Sequence, residues 1–411
     1  MVNHDIKESL ASLKERFEAT FGRPAQRQFF APGRINLIGE HIDYLGGTVL
    51  PAAIDRGITA LATLRNDRTV RLRSIFGTSE QESITGIDID IDSISEAPPK
   101  QHSKDHPPWV DYCLGMIRHY NKNYSLLGFD VLFSSNLPVA SGLSSSAALE
   151  VLTGYLFLMI QPNQQPLSES DRVALAVSAQ KIENEYIQVQ CGIMDQFAVA
   201  MGRQDHAIHL NTSSLTYHYI AMPKTPHSWI VLNSNRPRKL TESKYNERRH
   251  ECDQLLAMIQ SRHSNVKNLT AINDDQLSVL KNEPVLFRRA RHAMTENQRV
   301  LQAVNYLQSK STTGQLQKLG ELLCQSHDSL ANDYEVSSFE LNTLQDVSLG
   351  FDACVGARMT GAGFGGCAIA LLNTNDQDAV SEFCKKVSYQ YKEKTNYEAD
   401  VFQVELSNGV L

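Results

Sequence analysis

Three consecutive serines lie just ahead of an apolar run in the stretch LPVASGLSSSAALEV, residues 137–151. The first turn of a helix leaves backbone N–H groups unpaired and carries a partial positive charge. Glycine and serine are small enough for an anion to reach these donors, and serine hydroxyls can add hydrogen bonds or bind Mg²⁺. The stretch therefore predicts a phosphate-binding helix N-terminus. An ordinary serine N-cap is the alternative, since no G-x-x-x-x-G-K-[ST] motif occurs in the chain.

A second stretch, APGRINLIGEHIDYLGG at residues 31–47, places four polar side chains close together in the chain: Arg34, Glu40, His41 and Asp43. Carboxylates, an imidazole and a guanidinium between strand-like runs offer several hydrogen-bond donors and acceptors at fixed angles. Such a set is suited to a polyhydroxylated ligand such as a sugar. A solvated hairpin turn is the alternative.

Two acids stand out in the middle of the chain. Asp195 lies in the apolar stretch CGIMDQFA, and Glu183 lies near the end of a predicted helix. Each has a simple structural interpretation, because an acid in the first turn of a helix complements the helix dipole and an acid near a helix end is commonly exposed. Taken alone, neither acid identifies a function.

The glycine-rich stretch GAGFGG, residues 361–366, formally matches the dinucleotide-binding pattern G-x-G-x-x-G. That pattern must follow a strand and open a helix. Here it precedes the strand-like CAIALL, so we reject a Rossmann interpretation. The glycines are expected to let the backbone pack closely against another loop.

The elements that must position these residues belong to an ordinary globular chain of 411 residues, 42% apolar, with a net charge of −7. Mild acidity argues against non-specific nucleic-acid binding. The seven cysteines form no C-x-x-C pair, which indicates reduced thiols rather than disulfides. The charged N-terminus is not a signal peptide, and the apolar run 147–160 is too short to span a bilayer. We therefore expect a cytoplasmic monomer that binds neither nucleic acid nor membrane.

Hydrophobic periodicity predicts both helices and strands along the chain. Helices are expected over residues 5–21, 145–160 and 170–186, as a short helix in CGIMDQFAVAMG, and as long segments between about 205 and 345. Strands are expected in RQFFAP, RINLIG, GITALATLR, TVRLRSI, GFDVLF, AIHLNT, SWIVLNSN, CAIALL and VFQVEL, and a surface loop over 94–108. This mixture predicts an α+β fold with two closely packed domains, 1–205 and 206–411.

The order and composition of five stretches resemble the GHMP kinase superfamily and, within it, the galactokinase family. The stretches are PGRINLIGEHIDYLGG, LPVASGLSSSAALEV, ENEYIQVQCGIMDQF, LTESKYNERRHECD and ARMTGAGFGGCAIAL. The resemblance runs from about residue 12 to 400. It implies a two-domain GHMP kinase fold, with an N-terminal mixed-sheet domain, a C-terminal α/β sandwich and the active site between them.

The resemblance also implies an activity: transfer of the γ-phosphoryl group of ATP to the anomeric hydroxyl of α-D-galactose, with Mg²⁺. It assigns the catalytic base to Asp195 and its partner to Arg34, which keeps the aspartate ionised and stabilises charge. Sugar contacts are implied at Glu40, His41, Ile42, Asp43, Gly192 and Tyr245. Nucleotide contacts are implied at Ser74, Ala140, Ser141, Gly142, Leu143, Ser144, Ser145 and Ser146, and Mg²⁺ ligands at Ser146 and Glu183.

Three positions depart from the family pattern. Ile42 and Leu45 replace a threonine and an asparagine, and Gln188 stands where the family tends to have glycine. A buried polar group that once paired with either replaced side chain would lack a partner, and Gln188 has less backbone freedom than glycine. Two alternatives to an active galactokinase stay open: a non-enzymatic galactose sensor, and a kinase acting on N-acetylgalactosamine or arabinose.

Overall fold

The computed structural model describes residues 9–76, 83–95, 106–122, 124, 126–138, 141–162, 164–236, 241–309 and 314–411. Most of the predicted surface loop 94–108 and the first residues of the predicted helix 5–21 lie outside these ranges. The described residues contain both helices and sheets, as expected for the α+β fold.

The helices are α1 Leu10–Phe21, α2 Trp109–Asn121, α3 Ser145–Met159, α4 Glu169–Ile182, α5 Met194–Met201, α6 Thr241–Gln260, α7 Asp274–Leu277, α8 Pro284–Gln308, α9 Gln315–Asn332, α10 Phe339–Leu349 and α11 Gln377–Thr395. The strands are β1 Arg27–Asn36, β2 Thr48–Val49, β3 Pro51–Leu64, β4 Thr69–Phe76, β5 Ser83–Asp90, β6 Phe129–Ser135, β7 His206–Asn211, β8 Tyr217–Ala221, β9 Ser228–Asn233, β10 Cys354–Thr360, β11 Cys367–Leu372 and β12 Asp400–Val404.

The N-terminal half is built on a five-stranded mixed sheet in the order β1-β3-β6-β4-β5. Among the strand pairs that the described residues form in this sheet, only β4–β6 is parallel. The segments RQFFAP and RINLIG, predicted as two strands, form the single strand β1, because both pair with the long strand β3. The pairing shifts register between Pro32 and Arg34. Such irregularities re-aim side chains, and this one lies immediately before a candidate catalytic residue.

Two further sheets complete the fold. A four-stranded antiparallel sheet, β10-β11-β9-β12, forms the C-terminal half, and a small sheet, β2-β7-β8, joins residues on both sides of position 205. Sequence periodicity missed β2, β5, β8 and β10: β2 has only two residues, no residue of β5 is fully buried, and β10 leads into the glycine turn. The division at 205/206 stays a prediction.

Helices cover these sheets and bury one large apolar core. Helices α3 and α5 pack on β1 and β3, and helices α9 and α10 pack on β10. Helix α4 is capped by Ser168 rather than beginning with Ser170, and beyond Ile182 it continues as a π-helical turn, Glu183–Ile187. Turns of this kind are frequent at functional sites. No helix within the described ranges has both the length and the apolar character needed to cross a bilayer.

Candidate active site

A bidentate ion pair joins the two residues assigned to catalysis. Arg34 Nε donates to Asp195 Oδ1 at 2.8 Å, and Arg34 Nη2 donates to Oδ2 at 2.7 Å. The arginine is buried, whereas the aspartate side chain keeps 31% of its surface exposed. The pair brings the end of β1 to the first turn of α5, across 161 positions of sequence. The aspartate is therefore held in a fixed orientation and still faces solvent.

The serine loop, residues 140–146, lies against the same pair. Arg34 Nη1 donates to the Gly142 carbonyl at 2.8 Å, and Ser144 Oγ donates to Asp195 Oδ2 at 2.5 Å. Ser144 is the N-cap residue of α3, but its hydroxyl makes no capping bond and its backbone is left-handed, with φ of 62°. The ordinary serine N-cap considered from sequence is therefore wrong for this residue. The Ser144 hydroxyl therefore does not occupy the first-turn N–H groups of α3, which are the donors that an anion would use.

A cluster of acids lies behind the serine loop. Ser146 hydrogen-bonds to Glu183, whose Oε2 accepts from Gln196 Nε2 at 2.5 Å. Gln196 Nε2 also lies 3.4 Å from Oε2 of the fully buried Glu150. Burial raises the pKa of Glu183 to about 7, and the nearby Asp195 carboxylate adds to the rise. A positive charge placed here would therefore be strongly stabilised.

The stretch APGRINLIGEHIDYLGG, residues 31–47, is called the sugar-signature segment here and supplies two further acids. Glu40 is buried and accepts from Arg358 Nη2 at 2.8 Å. Asp43 is half-buried against Gly192, where a methyl group would lie 1.9 Å from Asp43 Oδ2. Burial, together with the charges of Asp195 and Glu40, raises the pKa of Asp43 to about 7. Only glycine at position 192 lets this carboxylate stay beside α5.

His41 lies within an aromatic cluster. Its ring centroid is 5.7 Å from Tyr245 and 5.1 Å from Tyr334. Burial lowers the pKa of His41 to about 3, so the ring is neutral near pH 7. Nε2 lies 3.2 Å from the Ala362 carbonyl and must carry the proton, because a carbonyl only accepts. Nδ1 then accepts from the Tyr44 hydroxyl at 2.9 Å.

The glycine-rich loop packs on the serine loop, as predicted. A methyl group on Gly361, which has a φ of 81°, would lie 2.8 Å from the Gly142 carbonyl oxygen. No dinucleotide fingerprint is formed, since the loop joins β10 to β11. The close approach of two backbones at this point requires glycine.

Not every predicted residue joins this group. Ile42 is fully buried in the core, and its sugar contact stays a prediction. Leu143 is also buried, and its carbonyl accepts from Arg34 N. Ser74 lies in β4, between Thr85 and Phe133 on the neighbouring strands, and its nucleotide contact stays a prediction. Among the other serine-loop residues, Ser141 is buried, Ser145 is exposed, and Ala140 lies outside the described residues.

Some residues of the site were missed by sequence reasoning. Arg358, Gln196 and Tyr334 hold Glu40, Glu183 and the His41 cluster, respectively. Arg358 and Gln196 lie inside two of the stretches quoted above, so their positions next to the functional residues were a usable signal. Tyr334 carried no such signal, because only the tertiary fold brings it to the site.

The residues present fit a magnesium ion bound together with a nucleotide. Glu183 and Ser146 supply oxygen ligands, which Mg²⁺ prefers, and the charge that acts most strongly on Glu183 is that of another acid, Asp195. No three histidine, cysteine or acidic side chains of the described part of the chain group as a metal site. An ion here would therefore take its remaining ligands from phosphate and water.

Comparison with known families gives the class of protein. The model of the GHMP kinase N-terminal domain matches residues 111–203, and that of the C-terminal domain matches residues 303–392. A model described as the galactokinase galactose-binding signature matches residues 15–64. With the mixed α and β architecture and the serine loop at a helix N-terminus, these matches define a GHMP kinase.

Full-length relatives narrow the class. The chain is 39% identical to a galactokinase of Clostridium acetobutylicum, over 97% of both chains, and 40% identical to one of Staphylococcus carnosus, over 98% of both. The crystal structure of Lactococcus lactis galactokinase complexed with galactose superposes with a TM-score of 0.85 at 38% identity, over 98% of this chain and 99% of that one. The chain belongs to the galactokinase family.

A more distant likeness concerns the fold alone. Methanococcus jannaschii mevalonate kinase has a TM-score of 0.59 at 18% identity, over 94% of this chain and 100% of that one. The predicted α+β GHMP kinase fold is confirmed.

Proposed function

We propose that this protein transfers the γ-phosphoryl group of ATP to the anomeric hydroxyl of α-D-galactose, giving galactose 1-phosphate and ADP. The observation that supports this most strongly is the solvent-facing Asp195 carboxylate, held by Arg34 and Ser144 between the serine loop and the sugar-signature segment. A kinase needs its proton acceptor between the two substrates, and the position of this carboxylate between the two proposed binding segments supports that role.

Asp195 is proposed to accept the proton of the anomeric hydroxyl. A carboxylate has about four lone-pair positions, so the bonds from Arg34 and Ser144 leave room for a sugar hydroxyl. The freed sugar oxygen forms a bond to the γ-phosphorus as the bond to the β–γ bridging oxygen breaks, and ADP leaves. Arg34 holds the carboxylate in place and stabilises the charge that moves with the phosphoryl group.

The phosphates are proposed to bind at the N-terminus of α3, residues 141–146. Ser146 and Glu183 would hold Mg²⁺, which when bound offsets phosphate charge. Glu40, His41, Asp43, Gly192 and Tyr245 line the proposed sugar site.

The test is a panel of sugars with MgATP, read by ADP release and by detection of the phosphosugar. Galactose is expected to give galactose 1-phosphate and the highest turnover. Higher turnover with N-acetylgalactosamine or arabinose would reassign the substrate. Galactose binding without any ADP release would instead indicate a sensor.

The Asp195→Asn variant tests the proposed base. Removing a positioned general base is expected to lower kcat by about 10²–10⁴-fold, because a proton acceptor is lost while the shape stays. Galactose binding measured by calorimetry should persist. Asp378→Asn is the control, since Asp378 is exposed in the first turn of α11, the position that Asp195 has in α5. Full turnover by Asp195→Asn would show that another group takes the proton.

A further inference from the structure

One face of the long helix α8 lies against the sugar-signature segment. His292, Glu296 and Val300 are spaced four residues apart and are all fully buried. Residues at this spacing share one face of a helix. Val300 meets Gly39 so closely that a methyl group on the glycine would lie 2.9 Å from Val300 Cγ2. The helix therefore supports the start of the segment that carries Glu40.

Glu296 bonds to the backbone of this segment. Its Oε1 accepts from Gly39 N at 2.9 Å, from Glu40 N at 3.2 Å and from Ser326 Oγ at 2.7 Å. Its Oε2 accepts from Arg299 Nε at 2.7 Å. Burial opposes ionisation, but the neighbouring charges, Arg299 first, lower the pKa of Glu296 to about 2. A buried, fully ionised carboxylate thus holds two consecutive backbone N–H groups by charge-assisted bonds.

Two neighbours on α8 extend the same contact. His292 Nε2 lies 3.1 Å from the Glu40 carbonyl and donates to it, because a carbonyl only accepts. Asn297 Oδ1 accepts from Thr48 N at 2.8 Å and from Thr48 Oγ1 at 2.9 Å. Helix α8 therefore holds the N–H and the carbonyl of Glu40, and it also holds Thr48, the residue that follows the segment.

The contact coincides with backbone strain. His41, which follows the held residue, has a φ of 62°, a left-handed conformation that is unfavourable for a non-glycine residue. Such strain persists only when the surrounding structure over-determines it. The bonds from α8 supply that constraint directly before the strained residue.

We propose that Glu296 is a positioning residue for the sugar site: it holds the Gly39–Glu40 backbone so that Glu40, His41 and Asp43 keep the orientation that binds the sugar. This inference rests on the proposed function. Glu296 itself is fully buried and does not reach a substrate.

The Glu296→Gln variant keeps the size of the side chain but replaces one carboxylate oxygen by an NH₂ group. In one orientation this NH₂ faces the Arg299 donor; in the other it faces the backbone N–H groups of Gly39 and Glu40. Either way two donors face each other and a bond is lost. We expect the KM for galactose to rise about 10-fold, while kcat and the KM for ATP change by less than about 2-fold, because only the sugar segment is loosened. The matched control is Gln345→Ala, which removes a buried amide bonded to the Ala357 carbonyl within the C-terminal half. An unchanged KM for galactose in Glu296→Gln would overturn the proposal.

A second readout needs no substrate. Amide hydrogen exchange at Gly39 and Glu40 should be about 10-fold faster in Glu296→Gln than in the parent protein, and unchanged in Gln345→Ala. No acceleration at these amides would overturn the proposal. If the parent protein fails to phosphorylate galactose, the proposed substrate is wrong, while faster exchange in the variant still supports the positioning role.

A milder variant decides the matter if Glu296→Gln does not fold. Asn297→Ala removes only the bonds to Thr48 and leaves the buried carboxylate in place. We expect a smaller rise in the KM for galactose, about 3-fold, with an unchanged KM for ATP. If the KM for galactose in Asn297→Ala were the same as in the parent protein, and the KM for ATP likewise, the proposal would then be overturned.

Discussion

At the scale of single residues, the site combines two kinds of carboxylate. Asp195 is paired with Arg34. The pKa of Asp43, in contrast, is raised by two acids, Asp195 and Glu40, and lowered to a smaller extent by Arg34. Placing acids together without a matching number of cations costs stability in the absence of ligand, because like charges disfavour ionisation. Binding sites often carry this cost, since the ligand or its ion later compensates it.

This arrangement predicts a pH dependence. The pKa of Asp43 is raised from 3.8 to about 7, so its contribution to stability is fully present below pH 4 and is lost as the pH rises through 7. The free energy of unfolding of the ligand-free protein should therefore fall between about pH 4 and pH 7 and level off above that. Asp43→Asn should lessen this fall by on the order of 1 kcal/mol after allowance for solvent screening.

Denaturant unfolding at several pH values measures this effect. Some pH dependence should remain in Asp43→Asn, because the pKa of Glu183 is also raised to about 7. The exposed Asp378→Asn should follow the parent protein. Parallel curves for Asp43→Asn and the parent protein would show that Asp43 is already ionised below pH 5.

At the scale of elements, the π-helical turn after α4 puts Glu183 beside the serine loop. The turn ends at Gln188, whose φ is 67° and ψ is 30°. The departure from the family's glycine therefore has a structural consequence: a glutamine adopts the left-handed conformation that glycine adopts without strain. The side chain of Gln188 is exposed and compensates little of that cost.

Gln188→Gly is accordingly expected to stabilise the protein by about 1 kcal/mol, because the strain is relieved where the chain already turns. Asn396→Gly is the matched comparison: Asn396 ends α11 with a φ of 62°, but asparagine tolerates this conformation better, so the gain should be smaller. Urea midpoints of the two variants measure the difference. A lower midpoint for Gln188→Gly than for the parent protein would contradict the expectation.

At the scale of the whole molecule, the end of the chain ties the two halves together. After β12, the backbone returns to the N-terminal half, where Ser407 N donates to the Ala53 carbonyl and Leu411 N to the Phe30 carbonyl, both at 2.9 Å. Val410 N donates to the Val199 carbonyl, also at 2.9 Å, on α5, the helix that carries Asp195. This bond thus holds α5 near its C-terminal end, whereas Asp195 lies in its first turn.

Val410 is fully buried in this contact, whereas Leu411 is 56% exposed. Val410→Ala should therefore lower the free energy of unfolding by about 2 kcal/mol, since buried methyl groups are lost and a cavity remains. Leu411→Ala should change it by less than about 0.5 kcal/mol. Thermal unfolding of the two variants tests this; equal effects would show that the tail does not pack as described.

The sequence alone determined a good part of this protein. Local patterns located the helix after the serines, strands β1, β3, β4 and β6 of the five-stranded sheet and the loop character of GAGFGG, because backbone propensity and side-chain periodicity act over short distances. The long motifs indicated the family, and the relatives confirmed it.

Only the tertiary structure decided which side chains meet. The bond of Ser144 to Asp195 in place of a cap, the burial of Ile42, and the support of Glu40 by Glu296 from 256 positions away depend on contacts between distant segments. A linear pattern records the neighbours of a residue along the chain, whereas its pKa, its orientation and its partners are set by whatever the fold packs against it.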